Sequence, residues 1–358
     1  MIIVDKPSVT YSSIVEIGEE INRLELNTKE KYLKLHRGVM DVSTIDLNSI
    51  LKDFDFNTKS IQQYGPNNGD TQLISTIKTK FNIPDHDVLI TPGGMAALDL
   101  VINTIYNKTF VLPKYHWGSW NKILKTHNKE IESFDDFNLQ NVKLNKNNVY
   151  MLCVPSNPTG WSPDVKTLKD FIERSKKEEV TLILDLPYYH LFNSENDKIF
   201  ESFHDNIILV SSFSKSLGLS GFRVGYVATK NKNLHEAMRI RSLYKYNSIS
   251  TLPQQIIEKI LTSEIGELTL NEYKTKTKNC IKKNIDYLDY RNFLFQEYPS
   301  KPVGPFCIVN LEYDFLLKNR VSSVPLNKFS LVKEISNKYS RISVAVDHET
   351  FVNYFNKI

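Results

Sequence analysis

The chain has 358 residues and only three cysteines, at Cys153, Cys280 and Cys307. No C-x-x-C pair and no evenly spaced cysteine set occurs, which excludes a disulfide scaffold and suits a reducing compartment. Long apolar runs are missing too. None approaches the roughly 18–20 residues that cross a bilayer, so no membrane partner is expected. The first residues, MIIVDKPSVTYSS, turn polar too soon for a secretory leader, and a cytoplasmic protein is expected. Charge of one sign is scarce: a net +4 over this length gives no reason to expect a nucleic-acid partner. The lysines of Lys274–Lys278 read as a solvated helix face. There is no low-complexity tract, no internal repeat and no G-x-x-x-x-G-K-[ST] nucleotide loop. No metal is expected.

What the chain does have is a series of short apolar runs separated by longer helical patterns. The runs are Val88–Ile90, Thr109–Leu112, Val149–Val154, Val180–Leu184, Asn206–Val210 and Val224–Val227. Strands apolar on both faces sit inside a mostly parallel sheet covered by helices, so the pattern predicts an α/β domain. Helices are predicted over Gly94–Tyr106 and from Asp164 to about Lys177. The ends differ. An amphipathic helix is predicted from Ser13 to about Leu26, with Ile14, Ile17, Ile21 and Leu24 on one face and Ser13…Glu16 at capping-box spacing. One or two long charged helices are predicted from Pro253 to about Tyr290. A strand over Phe306–Leu311, a helix near Leu326–Lys338 and a strand over Arg341–Val346 follow. Residues 41–250 read as a large domain, and 1–40 with 251–358 as a smaller α+β domain.

Ligands of open parallel sheets bind beyond the carboxyl ends of the strands, so polar residues there carry the functional signal. Strand 88–90 leads into Thr91-Pro92-Gly93-Gly94, a turn that could bring a phosphate to helix N–H groups, although tight glycine turns are common. Strand 149–154 leads into Asn157-Pro158-Thr159-Gly160, and strand 180–184 ends in Asp185, followed by Tyr188. An Asp closing an apolar strand is costly to bury unless a cation or donor meets it; capping the next segment is the other reading. Strand 206–210 leads into Ser212-Phe213-Ser214-Lys215, with Arg223 eight residues on. A lysine in a partly apolar pocket loses preference for its proton and can attack an aldehyde. Hydroxyls, an arginine and a glycine-rich helix start suit a dianionic phosphate. Amine, phosphate cradle and isolated Asp together point to pyridoxal 5′-phosphate.

These motifs also resemble, in order along nearly the whole chain, the fold-type I pyridoxal-phosphate aminotransferases of class I/II, the group of aspartate and histidinol-phosphate aminotransferases. The resemblance implies a seven-stranded, mostly parallel sheet in the large domain. It implies that Lys215 forms an imine with the cofactor and that Asp185 keeps the pyridine nitrogen protonated. Asn157 and Tyr188 would hydrogen-bond the phenolic oxygen, while Ser212, Arg223 and the backbone of Gly94 and Met95 would hold the phosphate. Tyr115, in Pro113-Lys114-Tyr115, matches the aromatic stacked on the ring. Tyr64 resembles the residue that reaches a neighbouring subunit's phosphate, which implies a homodimer with shared active sites. Arg341 matches the clamp on the substrate carboxylate, with Gly38 and Asn157 beside it. The implied activity is transfer of the amino group of an α-amino acid to a 2-oxo acid; decarboxylases and β-lyases of this fold keep the same cofactor residues and form the alternative. The aromatic run His116–Trp120 departs from the pattern, and reads as packing or as a pocket lining.

Ser212-x-x-Lys215 also spells the S-x-x-K of serine acyl-enzymes. That reading needs a later S-x-N and a K-T-G. The S-x-N candidates Ser119–Asn121 and Ser194–Asn196 precede it and no K-T-G exists, which excludes it.

Overall fold

The structure is a computed structural model that describes residues 8–192, 198–332 and 335–358. Ser194–Asn196 lie outside the described residues. The apolar runs form one seven-stranded sheet: β1 (Asp87–Thr91), β2 (Thr109–Pro113), β3 (Glu130–Phe134), β4 (Val149–Cys153), β5 (Thr181–Asp185), β6 (Ile207–Ser212) and β7 (Gly225–Thr229). Their order across the sheet is β1-β7-β6-β5-β4-β2-β3. All pairings are parallel except those of β7, which is antiparallel to both β1 and β6. β4, β6 and β7 are buried along their whole length, as strands covered on both faces must be.

The sequence pattern missed β3. Its residues, Glu-Ile-Glu-Ser-Phe, are half to fully exposed and lie at the edge of the sheet, where charge discourages pairing with another chain. The antiparallel sense of β7 was not legible either, because a buried strand is apolar in both directions.

Strand register decides where the polar ends fall. Cys153 lies opposite Asp185, and Asp185 opposite Val210. Ser212 lies opposite Gly225, which in turn faces Thr91. The carboxyl ends of β1, β4, β5 and β6 and the beginning of β7 therefore form one edge. Helix Gly94–Thr104 starts from this edge, as does the short helix Phe213–Ser216 that carries Lys215.

The N-terminal helix spans Ser13–Thr28 and buries Ile17, Gly18 and Ile21. Its N-cap is Ser12 rather than Ser13, with no side-chain cap bond, so the expected capping box is absent. The long C-terminal pattern resolves into two helices, Thr251–Thr262 and Glu264–Tyr290, separated at Ser263, whose hydroxyl accepts from Gly266 N–H at 3.2 Å. A second, three-stranded antiparallel sheet joins Phe306–Val309, Ser340–Ser343 and Val324–Pro325. Where a helix was expected near Leu326–Lys338, the chain makes only one short 3-10 turn, Leu326–Phe329, and residues 333–334 lie outside the description. Leu33–Lys34 pairs in parallel with Val321–Ser322. Ile17 and Ile21 of the first helix share an apolar cluster with Phe295, Ile308, Leu326 and Phe329. None of the described helices is long and apolar enough to cross a membrane.

Candidate active site

A cavity of about 300 Å³ opens at the strand-end edge, a size that suits a small ligand. Its lining includes Gly94, Met95, Asn157, Asp185, Tyr188, Ser212, Lys215, Arg223, Arg341 and Gly38, the greater part of the set expected from the sequence.

One end of the cavity is built for an anion. Gly93 takes φ +91°, the left-handed region open to glycine, and starts helix Gly94–Thr104 without a side-chain cap. Its first N–H groups lie at the positive end of the helix dipole. A Cβ at Gly93 would stand 2.5 Å from Nη2 of Arg223, so the guanidinium lies directly against the turn. Ser212 caps the lysine helix, its Oγ accepting from Ser214 N–H at 3.1 Å and donating to Ser214 Oγ at 2.9 Å. Arg223 is exposed and donates to the Ser220 carbonyl at 2.9 Å. Met95 is half-exposed and lines the cavity near this end.

The middle of the cavity sets a carboxylate, a phenol and an amine in apolar surroundings. Asp185 is buried, and burial pushes its carboxyl up to about 7 against the opposing pull of Trp120, whose Nε1–H donates to Oδ2 at 3.1 Å. Tyr188 packs edge-on against Phe306 at 5.8 Å and lies beside the Asn157 amide; burial holds its hydroxyl well above the usual range. Asn157 Oδ1 is buried without a partner. Lys215 Nζ donates to the Gly38 carbonyl. Burial, followed by the charges of Arg223 and Arg341, brings the Lys215 amine down to about 8.

The other end is cationic. Arg341 is fully buried on the strand Ser340–Ser343, its guanidinium over the rings of Phe306 and Phe329 at 4.5 and 5.0 Å. Nη2 donates to the His36 carbonyl, while Nε and Nη1 have no partner. Burial lowers its pKa to about 10, which leaves it charged at neutral pH. Two orphaned donors in a buried planar fork call for a carboxylate. A Cβ on Gly38 would come within 2.9 Å of the Phe306 ring, which keeps residue 38 small.

Two expected residues lie elsewhere. Tyr115 is buried but does not line the cavity: its N–H is anchored on Asp136 Oδ1 at 2.9 Å, and its ring turns into the second apolar cluster, edge-on to Phe295 at 5.9 Å. Trp117, two residues on, lines the cavity where Tyr115 does not. Tyr64 is 87 % exposed and is not among the residues that line the cavity. The sequence reading also missed Trp120, although the aromatic run that contains it had stood out.

The residues fit pyridoxal phosphate on independent observations. The orphaned Asn157 oxygen, the uncapped helix start against Arg223, and a buried carboxylate with a donor on one oxygen suit the phenolic oxygen, phosphate and pyridinium respectively. Comparison with known proteins gives the same direction. The family profile "Aminotransferase class I and II" matches residues 30–352. The chain belongs to this family. Members of this fold and class use pyridoxal phosphate, and the chain is a pyridoxal-phosphate aminotransferase acting on amino acids and 2-oxo acids.

Among relatives of this aminotransferase, the histidinol-phosphate aminotransferase of Methanocaldococcus jannaschii is 26 % identical over 341 residues, covering 92 % of this chain and 83 % of that protein. A probable aspartate aminotransferase of the same organism is 25 % identical over 203 residues, 52 % of this chain and 54 % of that one. The fold of this chain superposes on the aspartate aminotransferase of Thermus thermophilus with maleate at a TM-score of 0.82 and 17 % identity, covering 100 % of this chain and 99 % of that one. A Mycobacterium tuberculosis aminotransferase gives 0.84 at 15 % identity, covering 100 % and 98 %.

Proposed function

We propose that this aminotransferase takes α-amino acids with a second, distal anionic group. The observation that carries the α-amino acid part is the convergence of Lys215, Asp185 and Arg341 on one cavity, with two guanidinium nitrogens of Arg341 unpartnered. When bound, pyridoxal phosphate supplies an electron sink for the substrate's amino-bearing carbon. Lys215 would hold the cofactor through its amine, which burial brings down to about 8 in the cofactor-free chain, and the same amine would move the proton of the substrate's α-carbon. Arg341 grips the α-carboxylate and fixes which bond faces the lysine. Ser212, Arg223 and the Gly94–Met95 backbone would hold the phosphate, Asn157 and Tyr188 would bond the phenolic oxygen, and Trp117 would supply an aromatic wall.

Support for the distal anion comes from an adjoining cavity of about 360 Å³ that shares Ile14 and Trp117 with the first. Lys122, Lys125 and Lys328 line it, together with serine hydroxyls and the start of helix Gly118–Thr126, and among the described residues no carboxylate does. Both histidinol phosphate and aspartate, named in the relatives, carry such a group. Three buried, unpaired cysteines support a reducing, cytoplasmic setting, and exposed Tyr64 supports a homodimer in which it reaches the partner's site.

The test is a half-reaction screen without acceptor, with amino acids in matched pairs: glutamate and glutamine, aspartate and asparagine, phosphoserine and serine. Stoichiometric conversion of the bound cofactor to its pyridoxamine form, faster with the acidic member of each pair, is expected. Release of CO₂ or pyruvate with turnover contradicts transamination. Equal rates across the pairs leave transamination standing and overturn the distal anion.

A further inference from the structure

Trp120 is 1 % exposed and among the largest fully buried side chains, on helix Gly118–Thr126. Its one polar atom, Nε1–H, donates to Asp185 Oδ2 at 3.1 Å. Among the described residues Asp185 makes no ion pair. The titratable groups facing it are Cys153, its register partner on β4, and Tyr188, and burial keeps both neutral. An indole is a donor only and never titrates in the accessible range.

We propose that Trp120 is a positioning residue for the cofactor: its N–H holds Oδ2 of Asp185, fixes the carboxyl plane and leaves Oδ1 for the pyridine nitrogen. The inference rests on the cofactor assignment above. A buried carboxylate given one fixed, charge-assisted donor is stabilised as the anion, and the remaining oxygen is left as the acceptor for a cationic N–H. The donor is also a rigid ring locked by packing, so the carboxylate plane is fixed before the cofactor arrives. The donor itself cannot take up or lose a proton, so of the two partners only Asp185 titrates.

The experiment titrates the cofactor-free protein with pyridoxal phosphate and reads affinity. Trp120→Phe keeps an aromatic ring but removes the donor, and is expected to weaken binding about 10–100-fold, the range of one hydrogen bond to a charged group. In an Asp185→Ala background, which removes the acceptor, the same change is expected to alter affinity less than about threefold, because the group it acts through is gone. Equal losses in both backgrounds assign Trp120 to packing alone and overturn the proposal, as does no loss in either. Should Trp120→Phe fail to fold, benzothienylalanine at position 120, which keeps the indole shape without the N–H, takes its place with the same expected and contrary outcomes. Failure of the unaltered protein to bind the cofactor overturns the cofactor assignment instead, so the two failures are distinguishable.

Discussion

Burial acts on Lys215 and Asp185 in opposite electrical senses, because it disfavours whichever form is charged. Asp185 titrates near 7 in the fold against about 4 in the open chain, so between these values the folded cofactor-free protein keeps a proton the unfolded chain has lost. Its contribution to stability is fully present below pH about 4 and is lost as pH rises through about 7. Lys215 titrates near 8 against 10.5, so the folded chain has released a proton the unfolded chain still binds. Stability is therefore penalised below about 8 and recovers as pH rises towards 10.5. Urea unfolding of the cofactor-free protein across pH checks both signs. Asp185→Asn is expected to flatten the fall between about 4 and 7, and Lys215→Met the rise above about 8. A parallel shift of the whole curve with unchanged slopes would contradict them. The same lowered amine makes Lys215 a nucleophile at mildly alkaline pH, the property its sequence setting implied.

At the scale of the element, the site depends on register more than on any one loop. Gly225 starts β7 between Thr91 and Ser212, and a Cβ there would sit 2.6 Å from the Gly93 carbonyl carbon, 2.7 Å from Gly94 N and 2.8 Å from the Ser211 oxygen. All three are backbone atoms and cannot swing aside. Gly225→Ala is thus expected to separate the anion turn from the lysine helix, lowering the melting temperature by several degrees and weakening pyridoxal phosphate affinity at least about tenfold. Differential scanning calorimetry with a cofactor titration checks it. An unchanged affinity contradicts the close approach. Much of this edge was legible in the sequence, since buried strands announce themselves by composition and their polar exits stand out against it. β3 was hidden because an edge strand carries polar residues, and the turn Leu326–Phe329 passed for a helix because its apolar residues serve the second cluster instead. Tyr115 and Trp117 differ by two positions in one loop. Motif spacing marked the loop, but the anchor on Asp136, which decides which ring faces the cavity, comes from a residue distant in sequence.

For the molecule as a whole, the distribution of contacts links the two chain ends. The first helix packs with strands from the last third of the chain, and the segment after it supplies the carbonyls of His36 and Gly38 to Arg341 and Lys215. In the proposed function the substrate-side residues thus come from the ends of the chain and the cofactor-side residues from its middle. Tyr64 is the part of the expected set left facing solvent in a single chain. Sedimentation is expected to give a dimer, and Tyr64→Phe to weaken cofactor affinity without changing its mass; a monomer with full affinity contradicts the shared site.

The central claim is that Lys215 is the amine that takes the cofactor. Borohydride reduction of the pyridoxal-phosphate-loaded protein, followed by peptide mass mapping, tests it most directly. One stable pyridoxyl label on the peptide carrying Lys215, absent in Lys215→Ala, is the predicted result; a label on another lysine, or none, contradicts the account.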